Sequence, residues 1–449
     1  MKRLAGTLKE LFHYPSAVAG GAIILLLVAV SIYAPIAIPY SQAISLWRGS
    51  EEDWYRNPRM AAPAWINWFR KEKLAEAFTL STIDGTAEKE VTQSGEIATT
   101  TVLFSFDYQA DVFPAEMILY FKSVYAVKQP FVHVYWYTPD GREIRIGDFS
   151  IGPKQSLWFS QIEDSKFKRR IGGLNALEGL LVDDPKSETR KLQKGQYQLK
   201  VSVDTFEPDS TVDVEFVLQG QVYGWAGTDH LRRDLGIALL WGTPVALAFG
   251  LVASLATTVA HMAIAAAGVW FGGWLDELIQ RITEIFLVLP FLPILIMIGT
   301  FYSRSIVVIF TAVILLSLFG SSIKGLRATF LQIKEAPYIE AARSYGAGSW
   351  RIIFVYMIPR LIPLLVPALV AAIPGYVFLE ASLAVLGLGD PSLPTWGKVI
   401  NEASGNGALY KGLYYWVLEP SIMLMIAGIA FALVGFALDR IFNPRLRGV

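Results

Sequence analysis

The sequence predicts an α-helical, multi-pass membrane protein of six transmembrane helices, with a mostly-β domain of sandwich type inserted after the first span. Three observations predict it. Of the 449 residues, 53% are hydrophobic, and the mean hydropathy of +0.42 is high for a soluble chain. Six segments meet or approach the ~20 apolar residues that cross a bilayer: Ala17–Ile38, Gly236–Ala260, Ile285–Phe301, Ile306–Ser322, Leu361–Leu388 and Trp416–Leu438. The stretch between the first two has a different composition and alternates apolar and polar residues, the period of strands rather than of helices.

The first span is read as retained. It is longer than a signal-peptide core and has no clear small-x-small cleavage site before Pro39. The third and fourth are short, separated only by Tyr302-Ser303-Arg304-Ser305, and read as a tight helical hairpin. Basic residues set the orientation. Lys2, Arg3 and Lys9 precede the first span. Lys324, Arg327, Lys334, Arg343, Arg351 and Arg360 lie between the fourth and fifth, and Arg440, Arg445 and Arg447 follow the sixth. The other side's short loops offer Arg304, Lys398 and Lys411. Both termini and the loop after the fourth span are therefore expected in the cytoplasm, and the insert outside it. Leu4, Leu8, Leu11 and Phe12 share one face of a possible amphipathic helix over Lys2–His13.

Formal net charge is zero, with 39 basic and 39 acidic residues. Bulk charge thus points to no nucleic-acid partner. There is no cysteine, which excludes disulfides, thiolate metal sites and cysteine nucleophiles. No G-x-x-x-x-G-K-[ST] occurs, so no ATP site of P-loop type is expected on this chain.

In the insert, Val102, Phe104, Phe106 and Tyr108 alternate within Thr100–Tyr108. Phe131–Thr138 is aromatic and β-branched and runs into the turn Pro139-Asp140-Gly141, then Glu143–Ile146. Tyr197, Leu199, Val201 and Val203 alternate, as do Val212, Val214, Phe216 and Leu218 beyond a turn at Glu207–Ser210. Such half-buried strands build antiparallel sheets. Ala61–Phe78 reads as helical. His133 lies inside a strand and reads as structural; no HExxH, GxSxG or paired-histidine spacing points to catalysis. The aromatics Tyr135, Trp136, Tyr137 and Trp158 read as sheet core before sugar-stacking surfaces. A non-catalytic binding or covering domain is expected.

The loop after the fourth span is the most informative stretch. Ile333–Ser344 reads as one helix, with Pro337 in its first turn where a missing N–H costs nothing. Gly346 and Gly348 break it, and Ser349 is placed to cap a second helix from Trp350. Ala341 and Ala342 allow close approach, and Glu340 near a helix start suits the dipole. A short helix standing on a long span is a lever.

This stretch resembles the EAA loop of ABC-importer permeases: Glu340-Ala341-Ala342, three residues, Gly346, nine residues, then an apolar pattern ending in Pro359. Tyr356 and Ile358 stand where that pattern usually has isoleucine and leucine. Four other stretches resemble the C-type permeases of dipeptide, oligopeptide and nickel importers. They are Gly227-Thr228-Asp229 with Arg233-Asp234, where Arg232 replaces a glycine; Phe271–Asp276, similar to FGGW-x-D; Leu379–Gly389, similar to EASLSFLGLG; and Pro394–Gly397, similar to P-S-W-G. The likeness runs from about Gly227 to Pro444 and includes the first span; the insert is the main departure.

The resemblance implies a type I importer fold divided into residues 1–39 (amphipathic helix and first span), 40–226 (extracytoplasmic insert) and 227–449 (five-helix core with the coupling loop 333–359). It implies a non-enzymatic transport subunit in the cell membrane, coupled through Glu340, Ala341, Ala342, Arg343, Gly346, Ala347 and Trp350. The implied partners are a second permease in a heterodimer, two cytoplasmic ATP-binding subunits that use ATP and Mg, and an extracytoplasmic solute-binding protein. No cofactor or metal is expected on this chain. Peptides are the implied cargo, with oligosaccharides or nickel complexes as alternatives. Glu380, Pro374, Gly375 and Trp396 are candidates for the path or gate; Glu380 reads equally as a path-lining group and as an anchor for the loop near Trp396. Asp276, Glu277 and Glu284 read as interfacially solvated. An ion-coupled carrier would want several buried carboxylates or a broken-helix repeat, and only Glu380 stands out within a span. A membrane-anchored surface-binding protein would leave the Glu340 loop unexplained.

Overall fold

The computed structural model describes residues 10, 12–50, 52–95, 97–185 and 191–442. The expected helix over Lys2–His13, apart from Glu10, Phe12 and His13, lies outside the described residues, as do Arg445 and Arg447. The chain forms two compact units, Met1–Arg48 with Ile237–Val449, and Gly49–Gly236.

The unit Gly49–Gly236 is a β-sandwich. Its strands are β1 (Phe78–Ser81), β2 (Glu88–Ser94), β3 (Ile97–Tyr108), β4 (Glu116–Val124), β5 (Phe131–Tyr137), β6 (Glu143–Ser150), β7 (Lys154–Trp158), β8 (Gly195–Thr205) and β9 (Thr211–Gln219). One sheet has the order β1-β9-β4-β7 and the other β2-β3-β8-β5-β6, with antiparallel pairing throughout. The alternating residues of β3, β8 and β9 face one shared core, and Phe106 stacks on Phe216 across it at 5.5 Å. Trp136 is fully buried there and donates Nε1–H to the Leu180 carbonyl at 3.0 Å. His133 Nδ1 lies 2.7 Å from Asp148 and its Nε2 3.5 Å from Asp204, a strand-surface ion cluster.

Ala61–Phe78 is not the helix expected. A single 3-10 segment, Ala64–Phe69, leads through extended chain into β1. Asn67 explains the stop. Its side chain donates to the Leu74 carbonyl (3.0 Å) and accepts the Leu74 N–H (2.9 Å), closing a loop where a helix would have continued. Upstream, Arg56 donates from Nε and Nη2 to Glu215 (2.8 and 2.7 Å), and Tyr55 packs edge-on to Tyr120 at 4.7 Å. Residues 55–56 thus lie across the outer face of the four-stranded sheet. Two short helices, α3 (Ser165–Arg170) and α4 (Ala176–Gly179), complete the unit.

The other unit is helical: α1 (Pro15–Ala37), α2 (Tyr40–Arg48), α5 (Leu235–Phe271), α6 (Gly273–Val288), α7 (Phe291–Phe301), α8 (Ile306–Ser317), α9 (Ser322–Lys334), α10 (Pro337–Ser344), α11 (Ser349–Leu388), α12 (Trp396–Gly405) and α13 (Tyr415–Phe442). Four of these, α1, α5, α11 and α13, are long and apolar enough to cross a membrane. The expected third and fourth spans are not straight helices. α6 and α7 meet at 74°, and α8 and α9 at 45°; each bent pair counts as at most one further span. Pro290 causes the first bend, because it drives Leu289 into extended backbone (φ −62°, ψ 133°).

Small residues let the long helices touch. A Cβ on Gly250 would sit 2.6 Å from Val377, and one on Gly20 2.7 Å from the Ala430 carbonyl, the close approach typical of helices packed in lipid. The unit edges differ from residues 40 and 226. α2 belongs with the helices because Tyr40 packs on Trp241 (5.6 Å) and Arg48 donates to Ser392 (2.8 Å). Residues 227–236 belong with the sandwich, tied to Pro58 and Ala61 as described below.

Glu207, in the β8–β9 turn, accepts backbone N–H groups of Ala126 (2.6 Å), Val127 (2.9 Å) and Lys128 (2.8 Å). Those bonds hold its carboxyl below the usual glutamate range. A lowered folded-state pKa stabilises above the unfolded value and is lost as pH falls through the folded one. Glu207→Gln should therefore lower the unfolding temperature of the sandwich at neutral pH, with wild type and variant converging in acid; differential scanning calorimetry across pH checks this.

Candidate functional site

At the Lys334 end of the helices, the structure corrects the expected Ile333–Ser344 helix. Ile333 lies in the last turn of α9, which ends at Lys334, Ala336 is extended (φ −75°, ψ 141°), and α10 opens with Pro337 in its first turn. The residue before a proline is pushed out of helical space, so the chain turns here. Gly346 has φ +77°, a conformation that suits only glycine without cost. Ser349 does not cap the next helix; Gly348 precedes it and no side chain caps it. From Ser349 the helix continues through Arg351, a π-helical stretch Ile352–Met357, and on to Leu383. Pro359 accounts for the π-stretch: it lacks an N–H and its ring repels the Val355 carbonyl four residues back, so the register widens locally. The segment around Trp350 and the following span are therefore one continuous rod.

An apolar cluster and a cation–π contact fasten α10 to the helices behind it, and two polar contacts from α9 brace those helices against α5 and α6. Ile339 and Ala342 are buried in an apolar cluster with Val269, Phe330, Ile353 and Met357. Lys334 Nζ donates to the Val269 carbonyl (2.6 Å) and lies 3.4 Å from that of Trp270, placing a cation on the C-terminal end of α5 where the helix dipole favours it. Arg327 grips Asp276 with Nε (2.9 Å) and Nη2 (2.6 Å). Asp276 is thus ion-paired, not merely solvated as expected; Glu284 is flanked by Lys324 at 3.6 Å. Arg343 lies 4.5 Å over the Trp270 ring. The opposite face is open: Glu340, Ala341, Gly346 and Trp350 are exposed, and Trp350 packs on Phe271 (5.6 Å) and Phe354 (6.0 Å). Of the seven predicted coupling residues, Ala342 faces inward, Ala347 is half-buried and the other five are exposed.

At the other end of α11, two of the resembling motifs meet. Glu380 is buried and accepts a hydrogen bond from Thr395. Trp396, also buried, donates Nε1–H to the Leu239 carbonyl (3.0 Å) and fills the space that Gly242 leaves, where a Cβ would be 2.3 Å from the ring. A Cβ on Gly397 would meet Ala381 at 2.7 Å. This is anchor geometry for Glu380. Pro374 and Gly375 lie one to two turns back on α11, and nothing approaches Gly375 within 4 Å. Two carboxylates escaped the sequence reading. Asp390 accepts the Ile306 N–H (3.1 Å) and so caps α8. Glu419 lies within α13, beyond its first turn; α11 is therefore not alone in carrying an acid. Among the described residues, no group of three or more His, Asp or Glu is placed to hold a metal ion.

Before α5, Gly227–Asp234 forms a knot. Thr228 Oγ1 donates to the Pro58 carbonyl (2.8 Å) and accepts from Ala61 N–H (2.9 Å). Asp229 and Arg233 are buried; Arg233 donates from Nε and Nη2 to Asp229, both at 2.6 Å. The other Asp229 oxygen accepts the N–H groups of Leu231 and Arg233 (2.8 and 2.9 Å). Arg232 has φ +64°, so arginine adopts the turn that glycine normally supplies. Its guanidinium donates to the Asn57 carbonyl (2.8 Å), and Asn57 Nδ2 donates back to its carbonyl (3.1 Å). Burial pushes the Asp234 carboxyl upward.

Residues 237–448 match the family described as binding-protein-dependent transport system inner membrane component. This part of the chain is similar to membrane permeases. The chain is 29% identical to the glutathione transport system permease protein GsiD of Pectobacterium atrosepticum, over 50% of this chain and 73% of that protein. It is 31% identical to the peptidoglycan transport system permease protein YejE of Agrobacterium fabrum, over 49% and 57%. It is 26% identical to the dipeptide transport system permease protein DppC of Bacillus subtilis, over 50% and 69%.

Asp229→Asn would leave Arg233 buried beside a weaker partner and should destabilise the fold by roughly 3 kcal/mol. Arg232→Gly should change stability by less than about 1 kcal/mol, because relief of left-handed backbone offsets the lost bonds to Asn57. Thermal unfolding of the detergent-solubilised chain separates the two.

Proposed function

We propose that this chain is one of two permeases in an ATP-driven importer of type I fold, with six spans, both termini in the cytoplasm and the sandwich outside. A second, non-identical permease completes the path. Two cytoplasmic subunits bind ATP and Mg, and a solute-binding protein delivers cargo. The observation that carries this reading is the continuity of α10, the Gly346 turn and α11: an exposed helix, backed by a packed cluster, is joined to a span by a single rod. A nucleotide-driven neighbour that grips Glu340, Ala341 and Trp350 moves α11 directly. ATP acts by binding one arrangement of the assembly better than the other.

Cargo is proposed to be peptides or related amides, by likeness to permeases named for glutathione, peptidoglycan and dipeptide transport. Of the four aromatics expected in the sheet core, only Trp136 is buried there; Tyr135, Tyr137 and Trp158 are half-buried outside it, so the preference for peptides over oligosaccharides rests on the likeness to these permeases. The sandwich is proposed to cover the external mouth or to seat the solute-binding protein.

Gly346→Pro forces φ near −65° on a residue at +77°. The variant should insert and assemble yet hydrolyse ATP without uptake; normal coupled uptake in proteoliposomes would count against the lever. Removing residues 50–219 should abolish docking of the binding protein or uptake, and unchanged transport would reject a role for the sandwich in delivery.

A further inference from the structure

The sandwich carries an aromatic patch that none of the above uses. Trp68 and Phe69 are 83% and 81% exposed, and Trp225 and Trp65 are 58% and 38% exposed. The four are held together. Trp65 donates Nε1–H to the Trp225 carbonyl (3.0 Å) and packs edge-on to Phe69 at 6.3 Å. The Asn67–Leu74 hydrogen bonds fix the 3-10 segment that presents them. A soluble surface has no reason to order such a group in water.

Its place in the chain says what covers it. A Cβ on Gly236 would lie 2.7 Å from the Trp225 indole, so that ring rests on the second residue of α5, the helix apolar enough to cross the membrane. A patch packed on the first turn of a span sits at the depth where a bilayer's headgroups begin. Tryptophan is enriched at that depth because its apolar body and N–H suit a half-wet layer. Exposed Arg70 and Lys71 follow directly; long cationic side chains there reach lipid phosphates while their stems lie along the apolar layer.

We propose that Trp65, Trp68, Phe69 and Trp225 form a membrane-interface anchor, which beds this edge of the sandwich in the lipid headgroup layer. The proposal rests on α5 crossing the bilayer and holds whichever side the sandwich faces.

The chain has no cysteine, so Trp68→Cys, Phe69→Cys, Val127→Cys and Leu255→Cys each accept a single nitroxide on the full-length protein in phosphatidylcholine–phosphatidylglycerol nanodiscs. Val127, 83% exposed, reports the water-facing sandwich, and Leu255, 53% exposed on α5, reports the bilayer interior. Power-saturation electron paramagnetic resonance compares oxygen with a water-soluble nickel chelate. The expected result is a severalfold loss of nickel collisions at positions 68 and 69 relative to 127, with oxygen collisions between those at 127 and 255. Nickel collisions at 68 and 69 equal to those at 127, with 255 still lipid-buried, would overturn the anchor alone. Shielding of 68 and 69 that appears only on adding purified binding protein or second permease would overturn it in favour of a protein contact. A water-accessible 255 would instead remove the span on which the proposal stands.

Discussion

The burial of Ile339 and Ala342 against Val269, Phe330, Ile353 and Met357 is the constraint on which the rest of the helical unit depends. An eight-residue helix such as α10 is too short to persist in water by its own propensity. It is held because its apolar face completes a cluster drawn from the ends of α5, α9 and α11. Lys334 on the α5 carbonyls and the Arg327–Asp276 fork add direction to that packing, since both bonds lapse if α9 or α6 shifts by about an ångström. The open face is thereby free of structural duty, and its residues are available to a partner.

Packing rather than catalysis also explains the motifs at the far end of α11. Gly242 and Gly397 remove side chains where the Trp396 indole and the Ala381 backbone must pass. Glu380 and Thr395 join the span to the loop through a hydrogen bond that is strong because it is shielded from water. Asp390 supplies the helix cap of α8 from the same loop. One turn-rich segment thus satisfies the ends of several helices at once, as buried helix termini require.

The sandwich is attached by the same economy. Thr228 and Asp229 precede the span, but their partners are Pro58, Ala61 and Arg233 within the sandwich unit. The chain leaving the sandwich is therefore pinned to the chain entering it. Arg232 keeps the left-handed turn without glycine because it exchanges two hydrogen bonds with Asn57, donating one and accepting the other.

Much of this was legible in residues alone. Alternation at period two named the buried faces of β3, β8 and β9, because a strand half in water must alternate. Apolar runs located α1, α5, α11 and α13, because lipid demands length, and Pro337 and Gly346 were read in their observed conformations. Tertiary structure decided what depends on partners elsewhere in the chain: that Asn67 meets Leu74 and stops a helix, that α6 and α7 meet at 74° about Pro290, that Asp276 is paired, and that Glu380 leans on Thr395. Local chemistry restricts a residue's backbone and its preference for water or oil, and those preferences show in the string. Which neighbour satisfies a buried polar atom is settled only when the chain has closed on itself.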